Sequence, residues 1–389
     1  MVVVINLASR EEQGKNLAQY AAKLGDAAGE EKAAKLTALV DGGDFFGLMK
    51  ALSEDIQKVF STAEATEIEG FFVEILAILH SLEEAQKVDV AKLLLAGIVD
   101  PAHREQPLLR LRVVSKLYNF FPTKSNTRYE IFKALLEFAK ADEKLASLVQ
   151  PSLCALDDRI AEWGVGVEQQ RAVLLLAYQI HEAVSAGGEK SYNALVQYLR
   201  TFEAEGDASS AKEQAGAAAV LAISLDSVHE YNDLLGLKAV QALSKDGDKL
   251  GSLLTVFASG DLKQYQSALS ADEAALNAKG ITKDSGLKKI QMACFTALAS
   301  KSSDLTFAEI AAALNISEEG VEEWIVAAVA ANLLNAKIDQ LGRKVFVQWC
   351  PQQSFSQDQW QSMQSQIGVW KDSVKRMLTS LEEADAAGN

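Results

Sequence analysis

The chain has 389 residues, of which 38 are basic and 53 are acidic, giving a formal net charge of −15. Its length allows two or three domains with buried cores, and its negative charge repels a phosphate backbone, which excludes generic nucleic-acid binding. Only five prolines occur, 49% of residues are hydrophobic, and Ala, Leu, Glu, Lys and Gln dominate long stretches. This composition favours an all-α protein.

Amphipathic helices of roughly 12 to 20 residues follow one another from about Ser9 to Leu269, separated by short breaks. In one of them Ile131, Leu135 and Phe138 recur at helical spacing. Successive helices with short connections predict helical pairs stacked as a right-handed α-solenoid over residues 1–283.

Basic residues cluster in one part of this region with few acids between them. In so acidic a chain, the cluster predicts a docking face for an acidic partner or for ribosomal RNA. The alternative is the ordinary solvated side of a helix. The residues of this basic face are Arg104, Arg110, Arg112, Lys116, Lys124, Arg128 and Lys133.

Residues 284–350 follow the order helix, helix, helix, hairpin, which predicts a winged helix. The first helix covers Leu287–Ser300, Thr306-Phe-Ala-Glu309 is a capping box for the second, and Ser317 caps the third. The buried stripe predicted for the third helix contains Val321, Trp324, Ile325, Ala328, Val329 and Leu333.

The hairpin that follows turns around Gln340-Leu-Gly-Arg343. Alternation puts Val345, Val347 and Trp349 on one face and Lys344, Phe346 and Gln348 on the other. Phe346 is either covered by the segment that follows or contacts a partner. The wing residues, which form a small candidate contact patch, are Lys337, Arg343, Lys344 and Phe346.

A winged helix invites a nucleic-acid-binding interpretation, but its third helix carries the wrong charge. Glutamates occupy positions 318, 319, 322 and 323, and no Lys or Arg follows before Lys337. A helix that enters a DNA groove usually presents basic and amide side chains. These first turns would repel a phosphate backbone.

The last segment, residues 351–389, predicts a long helix that ends in a disordered acidic tail. Its apolar residues alternate at spacings of three and four, the a/d pattern of a coiled coil. Two of them are tryptophans, which need a cover in water, and this favours a partner helix. Packing on the chain's own domains is the alternative. The residues of this seam are Trp360, Met363, Ile367, Trp370, Val374, Met377 and Leu381.

No residue pattern would carry catalysis or hold a cofactor. The four histidines stand apart from one another and from the three cysteines, and no phosphate-binding glycine loop or nucleophile elbow occurs. We therefore predict no catalytic residue, no metal site, no cofactor and no enzymatic activity. No segment has the apolar length of a membrane span, which predicts a soluble, cytoplasmic chain without membrane contact.

A helical solenoid leading into a winged helix, with Ser259-Gly-Asp-Leu-Lys-Gln-Tyr265 just before it, resembles the PCI family of scaffold subunits. That family occurs in the proteasome lid, the signalosome and eukaryotic translation initiation factor three. The closer match is to the m subunits of that initiation factor, through further segments. These are Leu111-Arg-Val-Val-Ser-Lys-Leu-Tyr-Asn-Phe-Phe121, Asn126-Thr-Arg-Tyr129, Leu253-Leu-Thr-Val-Phe257, Lys337-Ile-Asp-Gln340 and Arg343-Lys-Val345.

The resemblance implies a non-catalytic scaffold subunit that supports preinitiation complex assembly on the small ribosomal subunit and mRNA recruitment. Winged helices of such subunits contact one another and their C-terminal helices form a bundle. The implied partners are other PCI and MPN subunits and, in the assembled complex, the small ribosomal subunit. Residues of about 190–283 would be the helical part of the PCI domain. A lid or signalosome subunit and a winged-helix nucleic-acid-binding protein are the alternatives, and direct RNA contact is left open.

Overall fold

The structure is a computed structural model in which the chain divides into two compact units, Met1–Thr201 and Phe202–Asn389. It describes residues 9–23, 29–100, 102–103, 105–185, 188–202, 209–245, 249–267, 283–300, 302, 304–350 and 357–387. Within those residues helices predominate, and the strands form one small sheet near the C-terminal end. The predicted all-α-dominated fold class, a solenoid followed by a winged helix, is confirmed.

The first unit is helical throughout its described residues, apart from turns. A 3-10 turn at Gln150–Ala155 separates α9 from α10. Its α-helices are α1 Arg10–Lys23, α2 Gly29–Asp41, α3 Phe45–Ser53, α4 Ile56–Thr62, α5 Ala65–His80, α6 Glu84–Ile98, α7 Pro107–Phe120, α8 Asn126–Ala139, α9 Glu143–Val149, α10 Leu156–Trp163, α11 Val167–Val184 and α12 Glu189–Arg200.

Helices of this unit pack mainly against near neighbours in the chain. The pairs α1 with α2, α7 with α8, and α11 with α12 are in contact, and α5 packs on α7 as α8 packs on α11. Each helix places one apolar stripe inside, as α8 does with Ile131, Leu135 and Phe138, all buried. Burial of each such side chain stabilises the unit by about 1.5 to 3 kcal/mol. Pairs that bury their faces against the next pair make a solenoid.

The second unit combines short helices with the winged helix. Residues 262–267 are also helical, and 3-10 turns lie at Ser209–Ala211 and Glu318–Gly320. Its other elements are α13 Lys212–Ser224, α14 Asn232–Gly236, α15 Lys238–Lys245, α16 Lys249–Ser259, α17 Lys283–Ala299, β1 Asp304–Thr306, α18 Phe307–Leu314, α19 Val321–Ala330, β2 Asn335–Asp339, β3 Lys344–Trp349 and α20 Gln357–Ala387.

The winged helix has the predicted order of three helices and a hairpin, plus one strand that the sequence did not predict. Its antiparallel sheet has the strand order β1-β3-β2, with Val345 of β3 opposite both Leu305 and Ile338. Strand β1 has only three residues, too few to show an alternating pattern. Its middle residue, Leu305, joins Phe295, Val345 and the buried faces of α18 and α19 in one core.

One of the two predicted helix caps of the winged helix is confirmed, and the other is corrected. Thr306 Oγ1 accepts the amide of Glu309, and Glu309 Oε2 accepts the amide of Thr306, which confirms the capping box. Ser317 makes no side-chain cap. It precedes the 3-10 turn, and α19 begins only at Val321.

The predicted buried stripe of α19 is also corrected at one position. Val321, Ile325 and Ala328 are buried, but Val329 is 41% exposed. Val329 lies eight residues after Val321, a rotation of about 80° around the helix, so it falls at the exposed edge of the stripe. Within the described residues no helix combines the length and the apolarity of a membrane span.

Candidate interaction surfaces

The seam lies on α20, a helix of 31 residues. Its members from Trp360 to Met377 are between 37% and 69% exposed, with Trp360 at 58% and Trp370 at 69%. Leu381 lies in the helix, but its side chain is outside the described residues. The seam is therefore an accessible apolar ridge on this chain, and its cover by a partner remains a prediction.

The basic face is not one continuous surface, because Arg110 lies in the core. Its side chain is 1% exposed. It donates from Nε to the Glu105 carbonyl at 2.8 Å, from one terminal nitrogen to the Ile98 carbonyl at 2.8 Å, and from the other to Gln57 Oε1 at 2.9 Å. The guanidinium also lies 4.1 Å from the ring centre of Phe60. Arg110 thus fixes the C-terminal end of α6 and is not available to a partner.

Acidic neighbours pair with other members of the basic face. Arg112 and Lys116 both pair with Glu69, at 3.2 and 3.1 Å. Their hydrogen bonds, with Lys116 contributing more, lower the pKa of the Glu69 carboxyl. Lys133 pairs with Glu137 at 3.7 Å. Exposed pairs like these contribute about 0 to 1 kcal/mol to stability. The single carboxylate of Glu69 offsets only one of the two positive charges beside it.

The remaining members of the basic face differ in setting. Lys124 is exposed. Arg128 lies 4.2 Å from the ring centre of Tyr118 in a cation–π contact. Arg104 lies outside the described residues. A docking role for this face therefore rests on Lys124, Arg128 and the outer sides of Arg112, Lys116 and Lys133, and it remains a prediction.

The wing residues are exposed at the tip and along one side of the sheet. Arg343 pairs with Glu318 at 2.8 Å, whereas Lys337 and Lys344 extend into solvent. Phe346 is 41% exposed and lies between Lys337 and Asp304 on the neighbouring strands. A partner contact at this ring stays a prediction.

A buried lysine, Lys289 of α17, is a structurally important residue that the sequence analysis missed. It is 5% exposed, and its ammonium donates to the Ala222 and Leu225 carbonyls at the end of α13 and lies 5.6 Å from the ring centre of Tyr231. Burial lowers the pKa of Lys289 to about 7, and the negative charge of Asp226 opposes part of this decrease. Spacing alone could not reveal it, because its acceptors lie far away in the chain.

Lys289 makes the stability of the second unit depend on pH. Its pKa is about 7 in the folded state and 10.5 as the ordinary value. Between these values the unfolded chain binds a proton that the folded chain does not, so the free energy of unfolding rises with pH. Below pH 7 both states are charged and the folded state bears the full desolvation cost.

Replacing Lys289 by Met should remove this dependence. The stability of the parent chain relative to Lys289→Met is expected to rise by about 1 kcal/mol per pH unit between pH 7 and 10. Urea unfolding of both proteins at pH 7 and pH 9.5 measures the difference. A difference that is the same at both pH values would contradict the assignment.

The segment Ser259–Tyr265 acts as a joint within the second unit. Gly260 has φ of +68°, and a Cβ there would lie 2.9 Å from the Ala293 carbonyl oxygen on α17. Asp261 Oδ1 accepts the amides of Lys263 and Gln264, and Tyr265 is completely buried. The segment ends one helix, begins the next and brings Gly260 against α17.

Comparison with known proteins agrees with this arrangement. The PCI domain family matches residues 263–349, the part that contains α17 and the winged helix. A relative from Dictyostelium discoideum, named eukaryotic translation initiation factor 3 subunit M, is 31% identical over 343 residues, covering 87% of this chain and 84% of its own length. The chain belongs to the subunit M family.

Further subunit M proteins match over similar spans. The protein from Nematostella vectensis is 27% identical over 70% of this chain and 71% of its own length. The protein from Danio rerio is 24% identical over 81% of this chain and 83% of its own length. The match to the subunit M family therefore extends well beyond the PCI domain into the first unit, and the suspected resemblance is confirmed.

The subunit M relatives are named as translation initiation factors. The contacts described above for this chain are packing contacts, hydrogen bonds and ion pairs. Within the described residues no group of three or more His, Cys, Asp or Glu side chains could hold a metal ion. Cys154, Cys294 and Cys350 form no disulfide. The surfaces with a distinct chemistry are thus the seam, the basic face, the wing residues and α19.

Proposed function

We propose that the chain is a non-catalytic scaffold subunit of the eukaryotic translation initiation factor 3 complex. In this role it supports assembly of the preinitiation complex on the small ribosomal subunit and recruitment of mRNA. The observation that carries the proposal is the identity of 31% along 87% of the chain with a subunit M protein. A match of that length includes both units, so it involves more than a shared PCI domain.

The mechanism would use two kinds of contact. The winged helix would meet those of other PCI subunits, and the seam on α20 would enter a helical bundle with PCI and MPN subunits. The exposed tryptophans support the second contact, because each would bury a large apolar surface against a partner. In this arrangement residues 1–283 are the solenoid, 284–350 the winged helix and 351–389 the bundle helix with its tail.

The competing functions have less support. A subunit of the proteasome lid or the signalosome would share the PCI fold, but the relatives reported above carry the subunit M name. A nucleic-acid-binding winged helix would need a basic third helix, whereas Glu322 and Glu323 occupy the first turn of α19. A cytoplasmic location, with the ribosome, follows from the proposed role.

Purification of the tagged chain from its own cells at moderate salt, followed by mass spectrometry, tests the proposal. Initiation factor 3 subunits together with small-subunit ribosomal proteins are the expected result. Recovery of lid or signalosome subunits instead would keep the fold and overturn the function. A chain that purifies alone would remove the scaffold role.

A further inference from the structure

The outer side of α19 is an exposed surface within the residues that match the PCI family, and neither that match nor the proposed bundle assigns it a partner. Val326 is 61% exposed and Val329 is 41% exposed. Glu322, Val326 and Val329 follow one another at spacings of four and three, so they form one line along the helix. Exposed Ala330 lies beside this line. The surface is acidic at the beginning of the helix and apolar in its second half.

The acidic end carries charge that the chain does not neutralise completely. Glu318 pairs with Arg343 at 2.8 Å, and Glu322 accepts a hydrogen bond from Gln340 at 3.1 Å. Glu319 and Glu323 are exposed, and neither forms an ion pair with any other described residue. A positively charged partner would therefore gain from this end of α19, whereas nucleic acid would be repelled.

A recess continues this surface into the protein. It is a cavity of about 490 Å³ between α17, α19 and the segment after α13, and Glu323 and Ala327 of α19 are among its lining residues. Met292, Trp324, Ala327 and Ala331 supply an apolar wall, and the polar residues of the lining are Asp226, His229, Lys288, Lys289 and Glu323. The ammonium of Lys289 is bound to the Ala222 and Leu225 carbonyls. The apolar wall suits an uncharged apolar side chain.

These features together specify the kind of partner. Small side chains at Ala327 and Ala330 allow another helix to approach closely, since interaxial distance depends on the side chains at the contact. A groove binds an amphipathic helix through the apolar residues on one stripe of that helix and through the charges beside the stripe. We propose that the outer side of α19 binds an amphipathic helix of another protein, with basic residues beside an apolar stripe and one large apolar side chain in the recess.

A designed peptide tests this inference on the full chain. The probe is a fluorescein-labelled helix of about 18 residues, long enough to be helical, with Leu on one stripe and Lys elsewhere. A second peptide keeps the Leu stripe and replaces Lys by Glu. Anisotropy titration at physiological salt is expected to detect binding of the basic peptide and not of the acidic one.

Variants locate the binding. The double variant Val326→Glu and Val329→Glu should weaken binding of the basic peptide at least about tenfold. The double variant Glu319→Lys and Glu323→Lys should also weaken this binding and make it less dependent on salt. Asp304→Lys, an equal charge change per site on β1, is the control and should have little effect. All of these side chains are exposed, so the variants should fold.

Three results would overturn the proposal. Equal binding of both peptides would mean that apolar contact alone, without the charge of α19, holds the peptide. Loss that follows Asp304→Lys as strongly as the α19 variants would mean general attraction to an acidic chain. Loss with Trp360→Glu and Trp370→Glu, but not with the α19 variants, would place the peptide on the seam. None of these results bears on membership of the initiation factor, which the purification experiment tests separately.

Discussion

A chain in which both Trp360 and Trp370 are replaced by glutamate is expected to be absent from the purified initiation factor complex. The two rings are 58% and 69% exposed on α20, and a partner helix would bury them together with Ile367. A charge in the middle of a dry helix contact is costly, and two tryptophan anchors should together contribute at least about a hundredfold in affinity. Co-purification with mass spectrometry, comparing parent and variant, measures the loss.

An apolar residue on another side of the same helix provides the matched control. Val369 is 62% exposed and lies outside the a/d pattern. Val369→Glu should therefore leave the variant in the complex. The circular dichroism of the isolated chain should be the same for all three proteins. A large loss of helical signal in the tryptophan variant would instead mean that the seam packs on the chain's own domains.

Arg110→Ala should destabilise the first unit by about 3 to 5 kcal/mol. The substitution leaves the Glu105 and Ile98 carbonyls without their donor, frees Gln57 Oε1 and opens a cavity beside Phe60. Hydrogen exchange of the amides in α6 and α7 should become faster, because both helix ends depend on this side chain. Urea unfolding of the full chain gives the free energy.

Arg112→Ala is the control for this effect, since it lies two residues away on the same helix. Its side chain is 71% exposed and pairs only with Glu69 in the described residues. Loss of such a pair should change the free energy of unfolding by less than about 1 kcal/mol. Similar losses for Arg110 and Arg112 would show that burial of the guanidinium does not contribute as we infer.

The local parts of the fold could be predicted from the sequence. The capping box at Thr306 and the apolar spacing of α17, α18 and α19 are properties of a few neighbouring residues, and they predicted the winged helix. The a/d pattern predicted a long helix with an apolar stripe in the same way, but it left open whether a partner or the chain's own domains cover that stripe. Strand β1 was missed because pairing with β3, and not its own three residues, makes it a strand.

The candidate basic face was predictable only in part, because its outcome depends on distant residues. Nothing near Arg110 in the sequence distinguishes it from Arg112, yet one side chain is buried and the other is exposed. The difference comes from Gln57 and the end of α6, which supply acceptors across the fold. Glu69 likewise pairs with both Arg112 and Lys116 from another helix. Charge counted along a chain does not reveal such pairs.

Gly260 has a consequence for how this sequence can change over time. Its backbone has φ of +68° and approaches the Ala293 carbonyl so closely that a methyl group would lie 2.9 Å from the oxygen. Every single-base change of a glycine codon that alters the amino acid adds at least that methyl group. The position therefore has no tolerated neighbour in the genetic code. The exposed positions of the helices on either side can accept other side chains, whereas the joint between them has only one amino acid available.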